Sequence, residues 1–407
     1  MKTIMEEDDN LMIVIREFDP QLHRESVESV ERMCEVGPSG KISLFTDLLG
    51  DPLCRIRHSP SYLMLVAETG GPLRETVGLI RGCVKTVTCG RKLSHRNNTG
   101  SIPIATKAAY LLGLRVSPAY RRRGIALKLV HHMEQWFKQM GAEYSYMATD
   151  EENEASVKLF TERCGYNKFR EPSVLVNPVY RHHIPVPRRH VKLVRLSPRE
   201  AQFMYRHQFA CTEFFPHDID SVLNNPLSLG TFLAVPVQSH SSSWHGIEKF
   251  LASPPNSWAV LSVWNCKNSF QLEVRGASRL VRALAGTSRF IDRMLPWFKI
   301  PSFPNLFRPF GVYFLYGVGG AGPEAQHLMR ALCAHAHNMA REGGCGLVAT
   351  EVAACEPIRD GVPHWRRLSF ADLWCVKRLS EEYSDGEIGD WTKARPPPSI
   401  FVDPREV

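Results

Sequence analysis

Ala108-Ala-Tyr-Leu-Leu-Gly-Leu-Arg-Val-Ser-Pro-Ala-Tyr-Arg-Arg-Arg-Gly-Ile-Ala126 decides the fold. Its first nine residues, to Val116, are largely apolar and of strand length, and Ser117-Pro118 closes the run with a turn signal. From Arg121 the pattern is basic, two spacers, glycine, a spacer and a small residue, set at a strand-to-helix junction. Backbone N–H groups at a helix start converge on an anion, and glycine lets a phosphate come close to the backbone. The hexapeptide therefore suits a pyrophosphate. Three arginines beside a turn are also what a solvated loop shows, so the reading depends on the surroundings.

Downstream, Ala126, Leu129, Val130, Met133, Phe137 and Met140 recur at three- and four-residue steps, and Gly141 stands where a helix C-cap belongs. Residues 143–149 are short and rich in aromatics and predict a strand; 153–160 predict a second helix, broken at Gly165-Tyr166. Strand, loop, helix, strand, helix is a right-handed crossover built around an anion site. Upstream, 13–18 alternates like a strand, 20–36 carries a helical pattern, and 62–67 with 76–87 read as a strand pair across Thr69-Gly-Gly-Pro72.

These motifs resemble the GNAT superfamily of acetyl-CoA-dependent N-acetyltransferases. The resemblance implies an α/β fold on a mixed α+β sheet, with acetyl-CoA as co-substrate and no metal. It implies that Arg121, Arg122, Arg123, Gly124, Ile125 and Ala126 hold the CoA pyrophosphate. The later Asn-x-x-Ala/Ser-x-x-Leu-Tyr/Phe helix is matched by Asn153, Ser156, Leu159 and Phe160, with Gly165 and Tyr166 at its end. Asn153, Ser156 and Phe160 would line the pantetheine and thiol end, and backbone N–H groups near Leu114 to Val116 would face the thioester oxygen. A closer resemblance is to the plant Hookless-type proteins. It runs through Cys34-Glu-Val-Gly-Pro-Ser-Gly-Lys41, Phe45-Thr-Asp-Leu-Leu-Gly-Asp-Pro52, Trp258-Ala-Val-Leu-Ser-Val-Trp-Asn-Cys266 and Ile400-Phe-Val-Asp-Pro-Arg-Glu406, covering nearly the whole chain. That likeness implies a nuclear N-acetyltransferase of plant development, acting on differential cell growth downstream of ethylene and auxin.

At 407 residues the chain is too long for one ordinary core and predicts two domains. A hydrophobic content of 43% and a charged content of 23% are those of a folded soluble protein. No apolar run approaches the ~20 residues of a membrane helix, and 1–10 lacks the apolar stretch of a secretory signal. Eleven cysteines without Cys-x-x-Cys spacing argue against a disulfide framework or a zinc ribbon, and for reduced thiols in nucleus or cytoplasm. A net charge of +8 accommodates polyanionic CoA and does not by itself indicate nucleic-acid binding.

The first domain is read as 11–180 and the linker as 181–190, basic and proline-containing. Over 191–380 the pattern starts again. Strand-like 191–196, helical 198–209, a strand pair at 230–236 and 258–264, a strand at 311–316 and a helix from 323 to 341 follow in order. In both halves the last of these helices ends in Gly and passes through a strand to Ala-Thr-acid, at Asp150 and at Glu351. The second half is read as a diverged copy of the first with a late strand at 372–378; an α+β accessory domain is the alternative. Gly317 to Gly322 reads as a structural turn or a vestigial phosphate loop, 275–307 as an excursion, and 381–407 as a C-terminal tail.

Acetyl transfer needs a base, because a lysine amine is almost fully protonated at neutral pH. Tyr110 stands where the histone-acetylating branch carries its glutamate. Glu68, at the end of a central strand, and Asp150, after the post-helix strand, are the candidate bases, each weighed against a solvated strand-end carboxylate. The family's usual phenol falls at Phe160, with one extra residue before Gly165. Tyr166, Tyr144 and Tyr146 are the possible substitutes. His335 and His337, two apart on a helix, face apart and form no chelating pair. The expectation is an N-acetyltransferase acting on a protein amine, histone lysine included. The alternative is a catalytically weak or inactive GNAT-derived regulator acting through partner binding, and oligomeric state stays open.

Overall fold

The structure is a computed structural model and describes residues 12–37, 42–72, 74–93, 102–237, 244–299, 301–380 and 390–407. Strand β1 (Ile13–Glu17) leads into helix α1 (Pro20–Met33), capped by Asp19, whose carboxylate accepts the Gln21 N–H at 2.8 Å. Strands β2 (Ser43–Asp47), β3 (Ser61–Thr69), β4 (Thr76–Leu93) and β5 (Ile102–Val116) follow. Then come α2 (Ile125–Gln139), β6 (Tyr144–Asp150), α3 (Glu154–Lys158), β7 (Asn167–Arg170) and β8 (Ser173–Pro178). β1, β3, β4 and β5 pair antiparallel in that order, whereas β6 lies parallel to β5, so β5–α2–β6 is the expected crossover.

The second half comprises β9 (Val191–Leu196), α4 (Pro198–Phe209), α5 (Ile219–Leu223), β10 (Ser228–Pro236), α6 (Ile247–Ala252), β11 (Trp258–Asn265) and β12 (Gln271–Arg275). It continues with α7 (Arg279–Met294), β13 (Gly311–Ala321), α8 (Ala325–Glu342), β14 (Cys345–Val352) and β15 (Phe370–Arg378). β9, β10, β11 and β13 repeat the antiparallel run, and β14 lies parallel to β13. Even the irregularity recurs. β5 bulges against β4 at Gly113, φ 60°, and β13 bulges against β11 at Gly317, φ 57°.

Each half gives its last strand to the other. β15 runs antiparallel along β6, and β8 runs antiparallel along β14. The exchanged strands meet at Phe370–Val174 and Ala371–Ser173. Among the described residues one 13-stranded sheet results, in the order β1-β3-β4-β5-β6-β15-β8-β14-β13-β11-β10-β9 with β7 on β15. The exchange covers the edge that β6 and β14 would otherwise expose. The late strand at 372–378 therefore lies in the half that its own span, 191–380, does not include.

Strand residues alternate between faces. On one face α2 packs Leu129, Met133 and Phe137 on Ile80, Ala109 and Leu111, and α8 separately packs Leu328 and Leu332 on Ala259 and Leu315. The other face is a single core shared by both halves, where α1, α4 and the C-terminal residues converge. The segment read as a tail belongs to this core: Trp391 and Phe401 are buried, and Asp403 accepts from Lys85 Nζ at 2.8 Å and from Arg405. Residues 381–389 lie outside the described residues. The glycine run at 317–322 also differs from a turn, because β13 continues to Ala321. Tyr205 packs directly on it, and a Cβ at Gly317 would stand 2.3 Å from the Tyr205 hydroxyl.

Candidate functional site

The loop from β5 to α2 sets basic side chains and the open end of a helix side by side, the backbone arrangement of a cradle for an anion. Ser117 N–H donates to Val77 C=O at 2.8 Å, holding the start of the loop on the sheet. Pro118–Tyr120 makes one tight turn, and Arg121, Arg122, Arg123 and Gly124 then run exposed. Arg122 at φ 64° and Gly124 at φ 75° are both left-handed and flank Arg123. For an arginine that conformation costs on the order of 1–2 kcal/mol, the kind of strain retained where a loop must keep a shape. α2 begins at Ile125 and Ala126, whose N–H groups have no intrahelical partner, and its first turn carries no acid. A Cβ placed on Gly124 meets nothing within 4 Å, so the cradle is open. A diphosphate fits these donors and charges.

Beside the loop β5 and β6 part, and the cleft is the gap between their ends. Parallel pairing of β5 with β6 ends at Leu111–Met147. Past that point the Gly113 bulge turns β5 aside, and Leu114 to Val116 part from Ala148 to Asp150. The edge of β5 facing away from β4 loses its strand neighbour there, and a backbone N–H on such an edge is the kind of donor an oxyanion requires. Leu114 and Val116 are half-buried, and Val116 C=O accepts from Arg121 Nε and from Cys34 Sγ, each at 3.4 Å. Glu31 of α1 takes Arg81 Nη1 at 2.6 Å and lies 3.3 Å from Arg115 Nε. Burial pushes the Glu31 carboxyl up, but Arg81 and then Arg115 outweigh it and hold the group below its ordinary range. Sequence reading missed this cluster, since nothing in the spacing of 31, 81 and 115 announces it.

The second motif sits on the far side of β6. Asn153 caps α3, accepting the Ser156 N–H at 3.3 Å, and Ser156 is half-buried. At Leu159–Arg163 the helix widens to a π turn, with Cys164 N–H on Leu159 C=O at 3.0 Å. That turn absorbs the extra residue before Gly165. Phe160 is buried, its ring edge-on to Tyr166 at 5.2 Å. The three substitute phenols all have partners: Tyr166 with Ser145 Oγ at 2.8 Å, Tyr146 with Glu406 at 2.5 Å, and Tyr144 with the Trp391 N–H at 3.4 Å. Burial raises the pKa of Tyr166 and Tyr146 well above the usual phenol.

The two candidate bases lie in different settings. Glu68 stands 3.2 Å from both Arg16 and His23 near the β1 edge, and is buried. Asp150 ends β6 at the mouth of the cleft, where a Cβ on Gly37 would lie 3.6 Å from its Oδ2. Strand exchange adds a group that the sequence could not place: Asp372 of β15 stands directly opposite Asp150. Glu351 of β14 reaches the same neighbourhood, accepting from Trp374 Nε1 at 2.7 Å. His337 is a core histidine whose Nε2 accepts the Tyr180 N–H at 2.8 Å.

Residues 32–166 match the acetyltransferase (GNAT) family. The Arabidopsis thaliana protein named Probable N-acetyltransferase HLS1 is 62% identical over 97% of this chain and 100% of its own length. The Oryza sativa subsp. japonica protein named Acetyl transferase GW6a is 39% identical over 97% of this chain and 98% of its own. Among solved structures, Saccharomyces cerevisiae N-myristoyltransferase with bound myristoyl-CoA shares the fold, with a TM-score of 0.53 at 8% identity over 92% of this chain and 81% of that one. The glucosamine N-acetyltransferase region of a fungal GH3 β-N-acetylglucosaminidase does so at 0.51 and 12% identity, over 90% of this chain and 38% of that one. A parallel crossover carrying an exposed basic loop, and sequence identity sustained along the full length of the plant relatives, lead to one conclusion: the chain belongs to the GNAT acetyltransferases, in the group that includes HLS1 and GW6a.

Proposed function

We propose that the protein transfers the acetyl group of acetyl-CoA to a protein amine, a histone lysine among the candidate acceptors. The observation that carries this reading is the open cradle of Arg121–Gly124 at the start of α2, set against the parting of β5 from β6. Arg121, Arg122 and Arg123 with the N–H groups of Ile125 and Ala126 would bind the diphosphate. Asn153, Ser156 and Phe160 would flank the thiol end, and the β5 backbone at Leu114 to Val116 would face the carbonyl oxygen. The acyl-CoA held by the yeast neighbour supports a CoA thioester in this fold.

Thermal unfolding with acetyl-CoA tests the cofactor. Ligand at about 100 times its dissociation constant stabilises by about 2.7 kcal/mol, and Arg121→Glu or Gly124→Trp should abolish the gain. No shift for wild type at millimolar acetyl-CoA would discard the reading. A second reading, an acyl-CoA-binding regulator with little turnover, is favoured by Phe160 and by the three engaged phenols. Binding without amine-dependent thiol release would select it.

A further inference from the structure

We infer that Asp372, carried into the first half's cleft by the exchanged strand β15, is the general base that deprotonates the acceptor amine, with Asp150 as its partner. The inference rests on the acetyltransferase reading and deepens it.

The geometry comes from pairing. Asp372 and Asp150 are direct cross-strand partners between β15 and β6, which places their Cβ atoms about 4.5–5.5 Å apart. Alternation along β6 puts Asp150 on the face of Tyr144 and Tyr146, and alternation along β15 puts Asp372 on the face of Trp374. That face is opposite α2, so the anion cradle and the carboxylates approach the cleft from different sides. A thioester entering over α2 and an amine entering over Asp372 would meet where β5 and β6 part.

The two carboxylates are not equivalent. Asp150 Oδ1 accepts the Glu152 N–H at 2.8 Å. Asp372 has no hydrogen-bond or ion-pair partner for its carboxylate among the described residues, although its own N–H is held by Pro172 C=O at 3.0 Å. The groups facing it are Asp150 from β6, Glu351 from β14 and Tyr110 from β5, with Arg55 and Glu406 beyond Tyr110. Burial, and then the Asp150 charge, push the Asp372 carboxyl up to about 7. A half-buried carboxylate without a partner among the described residues, opposite the end of β6 and pushed toward neutrality, is matched to taking a proton from an ammonium group.

The step balances. Asp372 removes one proton from the ammonium nitrogen, and the freed lone pair forms the C–N bond to the acetyl carbon. The C–S bond breaks with its electron pair on sulfur, and the second nitrogen proton ends on that thiolate. The products are the amide and free CoA thiol.

The test uses the full chain, acetyl-CoA and a lysine-rich peptide, reading thiol release from pH 6 to 10. Asp372→Asn should keep acetyl-CoA affinity within about twofold and lose at least 100-fold in rate, in line with the ~10²–10⁴ of a general base. The variant's residual rate should climb about tenfold per pH unit as free amine accumulates, while wild type levels off above about pH 7, and Asp372→Glu should recover part of the loss. Infrared titration of the unliganded protein, wild type minus Asp372→Asn, should show a protonated carboxyl disappearing near pH 7. A rate within threefold of wild type, or a carboxyl titrating near 4, overturns the base. Wild type that fails to bind acetyl-CoA removes the acetyltransferase reading and the base with it. Binding without turnover, while the infrared band titrates near 7, overturns the base and leaves the cofactor site standing.

Discussion

Glu31 on α1 and Arg81 on β4 form an ion pair of 2.6 Å directly beneath the bulge that opens the cleft. Arg81 is fully buried, and a Cβ on Gly113 would stand 2.6 Å from its Nη1, so the bulge exists at a glycine because the guanidinium occupies the side-chain space. The pair ties α1 to β4, the strand against which β5 bulges. Removing one partner of a buried pair strands the other and costs about 3–5 kcal/mol. Glu31→Gln should therefore lower the urea unfolding free energy by about 3 kcal/mol. Its loss should also grow more pronounced above pH 4 than below: the Glu31 carboxyl is held below its ordinary range, so its contribution is complete above the unfolded pKa and fades as pH falls through the folded one.

The crossover around Arg121–Ala126 was legible because its signals are local: a strand-length apolar run, a turn, a glycine and a helical period. So was the restart at 191, where β9, α4 and β13 to β14 fall close to the expected segments. Long-range partners left no such mark. Nothing in the alternation of 372–378 says that it pairs with β6 and not within its own half, so the meeting of Asp372 with Asp150 was unreadable, although Asp150 itself was named. Glu31, Arg81 and Arg115 were hidden for the same reason. The C-terminal residues were misjudged because Asp403, Arg405 and Glu406 look solvent-loving until Lys85 and Asp218 are found waiting for them.

Under the proposed reading Phe160 would flank the sulfur end of the site. Its ring is buried at 2% exposure in the core beneath α2, and the π turn at Leu159–Arg163 fixes how it enters. A hydroxyl added there has to find a partner or be buried without one, at about 1–3 kcal/mol. Phe160→Tyr should therefore destabilise by about 1–2 kcal/mol in equilibrium urea unfolding, with acetyl-CoA affinity little changed. A variant as stable as wild type would show that position 160 reaches the polar mouth.

The C-terminal residues act as a keystone on the shared face. Asp403 meets Lys85 at 2.8 Å, and Arg405 forks onto Asp218 at 2.6 and 3.0 Å. Burial works against the Asp403 charge, yet Arg405 and then Lys85 hold its carboxyl far below the usual range, while Lys85 is raised by Asp403 and Glu406 against its own burial. The Asp403 contribution is thus full above about pH 4 and lost on acidification, and that of Lys85 is full below about pH 10.5 and lost in alkali. Glu406, pushed up chiefly by burial, works in the opposite sense above its ordinary range. Deleting 403–407 leaves Lys85 buried and unpaired, at about 3–5 kcal/mol, and should abolish a cooperative thermal transition. Lys85→Met in the shortened chain should restore part of it.

The duplicated sheet raises the question of two acyl-CoA sites, and the second half answers it by packing. Where β5 and α2 are joined by an exposed basic loop, β13 and α8 are joined only by Gly322, Pro323 and Glu324, with the acid at the N-cap. An anion approaching that helix start meets a carboxylate in place of the arginines. Below it, Tyr205 is fully buried, donates to or accepts from Ser262 Oγ at 2.6 Å, and fills the space over Gly317, while Phe209 covers Gly319. A thioester tail entering where β13 and β14 part would meet Phe209, Ile400 and Phe401, which line the small space left there, and truncating a buried ring alone costs about 3–5 kcal/mol. Isothermal titration should therefore give one acetyl-CoA per chain, and Arg121→Glu should remove all of the binding signal. A stoichiometry of two, or half the heat surviving in Arg121→Glu, would show that Phe209, Ile400 and Phe401 swing aside and that the second parting of strands is a working site.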